Sequence, residues 1–342
     1  MKPLRKRVCV IGATGYSGGE LTALLARHPS VELVGLYASS RSPFASVHVT
    51  LAGRSGPEVE PIDAERVVAA RPDAVFLATP NELSASLAKP FVDAGIVVID
   101  LSGAFRLKDK DAYPKWYGFT HPHPELLPKA IYGLTEWCPK LQDAELIANP
   151  GCYPTSTLLA LRPIKRRLLA GAPIICDSKS GVSGAGKKAD FAFSFCEVSG
   201  NFKAYGVGVH RHEPEMRAQL GLAADAPFVF VPHLLPVPRG ILSTIHVTLA
   251  RPMEARELRD VYEKAYAGSP FVRMLPPWEL PELRHVVGTP RADIGFALLQ
   301  GGRQAVIVSA IDNLLKGAAS QAIQNFNRIF SFDEREGLQW AI

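Results

Sequence analysis

Hydrophobic positions in the first hundred residues follow two different rhythms. Short apolar runs at 7–11 (RVCVI), 31–37 (VELVGLY), 73–78 (DAVFLA) and 96–99 (IVVI) have the length and β-branched content of buried strands. The segments at 20–28 (ELTALLARH) and 81–95 (NELSASLAKPFVDAG) instead repeat at helical spacing. Strands alternating with helices predict a parallel, doubly wound sheet covered by helices. Past residue 150 the pattern changes. A helical stretch is expected over 155–170, then strand-like runs at 173–181, 227–237, 240–250 and 303–311, with a helical segment at 253–268. That mixture predicts an α+β second domain with an open sheet. An amphipathic helix from 315 to 329 is expected to pack back on the first domain. The expected fold class is therefore α/β, with a Rossmann-like domain over 1–151, joined by residues 315–342, and a mixed domain over 152–314.

The junction between the first strand and first helix carries Gly12-Ala13-Thr14-Gly15-Tyr16-Ser17-Gly18. This G-x-x-G-x-x-G run is a widened form of the dinucleotide fingerprint. Its glycines allow a tight turn and a close backbone approach to a pyrophosphate, and the helix start presents free N–H groups to it. Gly12, Thr14, Gly15, Tyr16, Ser17 and Gly18 are the candidate cofactor loop. At the end of the second strand, Ser39, Ser40 and Arg41 stand where NAD enzymes usually place an acid. Two hydroxyls and a guanidinium suit a 2′-phosphate, so NADP(H) is the expected cofactor.

Chemistry is expected at Asn149-Pro150-Gly151-Cys152-Tyr153-Pro154-Thr155-Ser156. Proline and hydroxyl residues suit a helix start, expected at Pro154 or Thr155. A thiol placed there is favoured as thiolate. The other four cysteines lie in apolar or strand contexts. A thiolate beside a nicotinamide can attack an activated acyl group, and the resulting thioester can be reduced to an aldehyde. His210 and His212 are candidates for the accompanying proton transfer, since in an extended chain they share one face while Arg211 points away. Which of the two handles the proton is open. No further ligand at suitable spacing makes the pair a metal site, so none is expected. His121 and His123 flank prolines and read as surface residues.

Composition adds boundaries. With 342 residues, 47% hydrophobic and 21% charged, the chain can bury two cores. No apolar run reaches the ~18 residues of a membrane span. The basic start (Lys2, Arg5, Lys6, Arg7) precedes only four apolar residues before Gly12, too few for a secretory signal, and reads as a solvated tail. Five scattered cysteines without a Cys-x-x-Cys pair fit a reducing, cytoplasmic setting. The net charge of +5 is too diffuse to suggest nucleic acid, although it suits an anionic small substrate. Lys165, Arg166 and Arg167 read as the solvent face of one helix.

These segments together resemble the N-acetyl-gamma-glutamyl-phosphate reductase family of arginine biosynthesis, acyl-phosphate reductases similar in architecture to aspartate-semialdehyde dehydrogenase. The resemblance rests on GATGYSGGEL (12–21), DLSGAFR (100–106), YGLTE (132–136), NPGCYPTS (149–156), DSKSGVSGAGKK (177–188), HRHEPE (210–215), PHLLPVPRGI (232–241) and NLLKGAASQAIQN (313–325), in family order through nearly the whole chain. It implies NADPH-dependent reduction of N-acetyl-L-glutamyl 5-phosphate to the 5-semialdehyde and phosphate. The family's nucleophile then falls on Cys152 and its paired histidines on His210 and His212. Asn313 is implied at the cofactor, and Arg106, Asn149, Lys179 and Arg211 at the substrate. Lys187 and Lys188 stand where an Arg is frequent in the family, and Gly103-Ala104 where Ala-Asp is common. The nearest alternative is an acyl-phosphate reductase of lysine biosynthesis acting on carrier-protein-linked aminoadipyl phosphate. The open second sheet leads us to expect a homodimer or homotetramer, with no nucleic-acid or membrane partner.

Overall fold

The computed structural model describes residues 5–138, 140–187 and 189–338; Lys2 and Lys188 lie outside them. In chain order the elements are β1 (Lys6–Ile11), α1 (Tyr16–Leu25), β2 (Val31–Ala38), β3 (Val59–Pro61), α2 (Ala64–Ala69), β4 (Ala74–Leu77), α3 (Asn81–Asp93), β5 (Val97–Asp100), α4 (Ala112–Tyr117), β6 (Ile131–Tyr132) and β7 (Leu146–Ala148). There follow α5 (Cys152–Leu161), β8 (Ile174–Gly181), α6 (Phe195–Val198), β9 (Lys203–Ala204), α7 (His212–Leu220), β10 (Phe228–Leu235), β11 (Ile241–Thr248), α8 (Ala255–Tyr266), β12 (Val272–Met274), α9 (Leu283–Val286), β13 (Ala292–Leu299), β14 (Gln304–Ile311) and α10 (Ser320–Ile329). Residues 1–151 and 318–342 form one compact unit, and Cys152–Gly317 another.

The first unit holds a parallel sheet of order β3-β2-β1-β4-β5-β7-β6. Its central strands are apolar on both faces because helices cover both: Val8, Cys9, Val10 and Ile11 of β1 and all of β4 are buried. The chain reverses direction across the sheet between β1 and β4, and the crevice at the carboxyl ends of such strands is where α/β sheets take ligands. The amphipathic α10 belongs to this unit; its Phe326 packs on Phe76 of β4, ring centroids 5.8 Å apart. Lys6 is not a free tail residue, since its Nζ pairs with Asp73 at 3.0 Å and lies over the Phe330 ring.

The second unit holds a mixed sheet of order β12-β13-β14-β11-β8-β10-β9. One face carries α5, and small hydroxyl residues let the helix come close. Ser156 Oγ lies 2.9 Å from Ser243 Oγ and 3.2 Å from Ser309 Oγ, and Ser178 Oγ lies 2.7 Å from Ser243 Oγ. These contacts join the buried helix to β8, β11 and β14.

Several local expectations differ from the fold. The helix expected over 155–170 starts at Cys152 and stops at Leu161; a tighter 3-10 turn, Arg162–Arg167, follows around Pro163, which has no N–H to extend an α-helix. The Lys165–Arg167 run therefore lies on that turn. The last helix is also split: Leu315–Ala319 is a π-helical turn, and α10 starts after it. Cys196 is exposed in α6 rather than set in an apolar or strand context, while Cys9 and Cys176 are buried; none of the five is joined in a disulfide. His121 is buried, not superficial, with Nε2 2.9 Å from the carbonyl of Ala104 and its ring against Phe105 and Tyr113.

Candidate active site

Within the first unit, Gly12 follows β1 with φ of +88°, and a Cβ there would meet the carbonyl oxygen of Ala78 at 2.3 Å. A Cβ on Gly18 would lie 2.0 Å from the Gly12 carbonyl oxygen. Both glycines are thus required by the turn itself, whereas Gly15 has room for a methyl group and serves as N-cap of α1 without a side chain over the helix start. Thr14, Tyr16 and Ser17 complete the loop, with the Tyr16 ring 44% exposed. A bare-backbone turn at a helix start beside the β1–β4 reversal fits a dinucleotide pyrophosphate. Ser39, Ser40 and Arg41 are exposed past the end of β2. Arg41 is already paired there: its Nη2 lies 2.9 Å from Oε2 of Glu60 on β3, an acid the sequence reading did not connect with this strand end.

Two residues expected at the substrate are committed to holding backbone in this unit. Arg106 is buried and donates from Nε to the Asn149 carbonyl at 2.9 Å and from Nη2 to the Leu101 carbonyl at 2.8 Å. Asp100, fully buried and pushed up in pKa by that burial, shapes the loop leading to Arg106 by accepting from Ser102 N and Oγ at 3.0 and 2.8 Å. Asn149 is also fully buried; its Nδ2 donates to the Ala318 carbonyl at 3.2 Å and its Oδ1 accepts from Asn325 Nδ2 at 3.0 Å. At Gly103 the Tyr117 ring fills the space beside the backbone, 2.2 Å from where a Cβ would be.

In the second unit, Cys152 is the first residue of α5 and only partly buried. Its neighbour Tyr153 is the hub of a ring cluster. The His210 and His212 rings stand edge-on to it, with centroids at 5.6 and 5.9 Å, and lie 4.9 Å from each other. Tyr205 closes the cluster: its hydroxyl is 3.1 Å from that of Tyr153, which donates to the His233 carbonyl at 3.3 Å. The histidines meet for a reason other than the extended chain expected. Residues 207–209 form a turn and α7 begins at His212, so a local fold-back of the His210 side chain onto the start of α7, rather than strand alternation, brings the rings together. The backbone N–H of His212 donates to His210 Nδ1 at 3.1 Å, which leaves the ring proton of neutral His210 on Nε2. Burial, and next the charge of Arg211, hold the His210 pKa down to about 4. Burial pushes Tyr205 up to about 12, so its phenol stays a hydrogen-bond donor.

Gly317 and Asp312, which sequence reading did not single out, shape the seat of Cys152. A Cβ on Gly317 would sit 2.8 Å from Cys152 Cβ. The Gly317 N–H closes the π-turn on the Asp312 carbonyl at 2.9 Å. The fully buried Asp312 carboxylate accepts from the N–H groups of Leu314, Leu315 and Gly288 and pairs with Arg239 at 3.0 Å. Asn313, expected at the cofactor, has its amide engaged in this unit: Oδ1 accepts from Gly240 N at 2.7 Å and Nδ2 donates to Ser183 Oγ at 3.0 Å.

Lys179 does not join the cysteine. Strand alternation turns Ser178 and Ser180 toward α5 and Lys179 to the opposite face of the sheet, where its Nζ pairs with Asp177 at 2.7 Å and His233 Nδ1 lies 3.2 Å from the same carboxylate. Arg211 is exposed between the two histidines. Among the described residues, no group of three or more His, Cys, Asp or Glu side chains could hold a metal ion, and no helix is long and apolar enough to cross a membrane.

Residues 7–144 match the semialdehyde dehydrogenase NAD binding domain and residues 152–313 the semialdehyde dehydrogenase dimerisation domain. The fold is shared with aspartate semialdehyde dehydrogenase II from Vibrio cholerae, at a TM-score of 0.71 and 19% identity, covering 96% of this chain and 98% of that one. It is also shared with aspartate semialdehyde dehydrogenase with NADP from Candida albicans, at a TM-score of 0.64 and 15% identity, covering 96% and 99%. Proteins named N-acetyl-gamma-glutamyl-phosphate reductase are far closer in sequence. That of Geobacillus thermodenitrificans is 45% identical over 341 residues, covering 97% of this chain and 98% of its own length. That of Pelotomaculum thermopropionicum is 46% identical, covering 97% of each, and that of Campylobacter jejuni 41%, covering 98% and 99%. With nearly full-length identity at this level, and both semialdehyde dehydrogenase domains present, the chain belongs to the N-acetyl-gamma-glutamyl-phosphate reductase family.

Proposed function

We propose that this chain reduces N-acetyl-L-glutamyl 5-phosphate with NADPH to N-acetyl-L-glutamate 5-semialdehyde and phosphate, through a thioester on Cys152. The observation that carries the reading is Cys152 at the first position of α5, with two imidazoles and the Tyr205 phenol grouped around the adjoining Tyr153. Gly12, Gly15 and Gly18 give the cofactor pyrophosphate a bare-backbone loop, with Thr14, Tyr16 and Ser17 beside it and Ser39, Ser40 and Arg41 available to the 2′-phosphate. Asn313 acts at one remove, through the segment it ties to Gly240 and Ser183.

The helix start favours the thiolate of Cys152. Its Sγ attacks the acyl carbon, the C–O bond to phosphate breaks, and the thiol proton leaves with the phosphate. His210 cannot relay that proton well, because Nδ1 is occupied by the His212 N–H and the ring resists protonation. It instead offers Nε2–H to the acyl oxygen as negative charge develops there. The relay falls to His212. NADPH, when bound, would supply a hydride to the thioester carbon; collapse of the resulting tetrahedral alkoxide on Cys152 breaks the C–S bond, releasing the aldehyde and restoring the Cys152 thiolate. Arg211, exposed between the histidines, is the cation of this unit proposed for substrate anions. Arg106 and Asn149 act on the backbone just before Cys152 rather than on substrate.

The open face of the second sheet supports a homodimer or homotetramer. Ile175, Val229 and Leu299 are exposed on it, around the Asp177–Lys179 pair, and such an apolar face favours a second copy. A cytoplasmic location fits five cysteines outside any disulfide. The function is tested by running the reaction backwards at high pH with phosphate. NADP+ reduction with N-acetylglutamate 5-semialdehyde, lost in Cys152→Ala, is expected. Turnover of aspartate semialdehyde or a carrier-linked aminoadipate semialdehyde instead would overturn the substrate assignment. Light scattering tests the oligomer.

A further inference from the structure

Just beyond the carboxyl end of β2, two guanidinium groups converge on one carboxylate oxygen. Glu60 Oε2 lies 2.9 Å from Arg41 Nη2 and 3.4 Å from Arg66 Nη1, and accepts from Arg41 Nε at 3.0 Å. The three residues come from different elements: Arg41 from the turn after β2, Glu60 from β3, and Arg66 from α2. Their backbone is fixed, since Ser42 and Val59 exchange hydrogen bonds of 3.2 and 2.9 Å and Glu60 is in register with Tyr37. The arginine side chains are 72% and 57% exposed while that of Glu60 is 21% exposed, so the cations face outward over the acid. The adjacent Asp63 carboxylate is committed to capping α2 on Arg66 N at 3.0 Å. The cluster of Arg41, Arg66 and Glu60 carries one net positive charge and holds two forked donors a few ångströms apart.

We propose that Arg66 is a second guanidinium for the 2′-phosphate of NADP(H), and that Glu60 is the counter-ion both arginines turn away from when the phosphate arrives. The inference rests on the reading that Arg41 meets the cofactor at this strand end. A phosphate near neutral pH carries more charge than a carboxylate and presents three acceptor oxygens, so two arginines gain by exchanging one for the other. Glu60 is anchored in β3 and cannot leave. It therefore opposes the incoming phosphate and remains available to accept from the 2′-hydroxyl of NAD, the role an acid on β2 itself usually has. Glu60 thus weakens the preference for NADP that the arginines create, and the selectivity of this enzyme is a balance among the three side chains.

The test is calorimetric titration of NADP+ and of NAD+ into the full chain and three variants, with no turnover involved. Arg66→Gln should weaken NADP+ about tenfold and NAD+ less than about twofold, matching loss of one charge-assisted contact. Glu60→Gln should tighten NADP+ roughly three- to tenfold, from removal of one like charge near the phosphate, without tightening NAD+. Unchanged NADP+ binding in Arg66→Gln, or weaker NADP+ binding in Glu60→Gln, would overturn the proposal. Arg41→Gln separates the two levels. If it leaves NADP+ binding intact, the phosphate is not read at this strand end and the underlying assignment fails. If it weakens NADP+ while the other two variants bind like wild type, only the present inference falls.

Discussion

Replacing Gly317 with alanine tests whether the position of Cys152 limits the reaction. The added methyl would lie 2.8 Å from Cys152 Cβ and 3.1 Å from its Cα. Carbon atoms settle about 3.5–4.0 Å apart, so one partner must move by roughly 1 Å. The π-turn is poorly able to give way, because the Asp312 carboxylate holds Leu314, Leu315, Gly288 and Arg239 at once. The strain therefore falls on the start of α5. A misplacement of about 1 Å at a reacting group costs on the order of a hundredfold in rate, and overpacking of this kind costs about 1–3 kcal/mol of stability. The assay is kcat for phosphate-dependent oxidation of the semialdehyde, read together with KM for NADP+ and the rate of Cys152 alkylation by iodoacetamide. Gly317→Ala should lose kcat about a hundredfold and alter the alkylation rate, with KM for NADP+ within about twofold of wild type. Gly268→Ala is the control, since nothing lies within 4 Å of its Cβ position. A folded Gly317→Ala variant with wild-type kcat and alkylation rate would refute the steric argument.

Three further outcomes follow from the geometry. The His210 pKa is held down from 6.5 to about 4 in the folded chain, so the unfolded chain binds more protons between those values. Folding stability contributed by neutral His210 is complete above pH 6.5 and lost as pH falls toward 4, on the order of 3 kcal/mol at most; denaturant melts should show a shallower pH slope in His210→Gln, and an unchanged slope would remove this group from the account. Lys179→Ala should keep kcat within about threefold, because the side chain points away from α5, and a thousandfold loss would restore it to the substrate site. Arg106→Ala should destabilise the first unit by about 2–4 kcal/mol, by leaving the buried Asn149 carbonyl and the partly buried Leu101 carbonyl without the Arg106 donor, as measured by urea unfolding.

The parallel sheet, the glycine turn and a helix start close to Cys152 were legible because each depends on neighbours in sequence. Apolar runs of strand length alternating with helices leave few ways to wind a sheet, and Gly12 and Gly18 report a turn whose steric demands are local. The features that escaped depend on residues distant in the chain. His121 reads as superficial beside Pro122, yet the aromatic side chains of Phe105 and Tyr113 enclose it. Lys179 sits in a motif with Ser178 and Ser180, and only the face that α5 covers decides which of them turn toward that helix. One distant contact does leave a local trace in the sequence. Gly317 interrupts a segment otherwise made of helix-forming residues, where glycine costs about 1 kcal/mol relative to alanine. A cost of that kind in a packed helix indicates close approach by something else. Here that something is Cys152, the nucleophile proposed above, 165 positions earlier in the chain, so the glycine and the cysteine are best regarded as one structural unit whose two parts are recognisable only together.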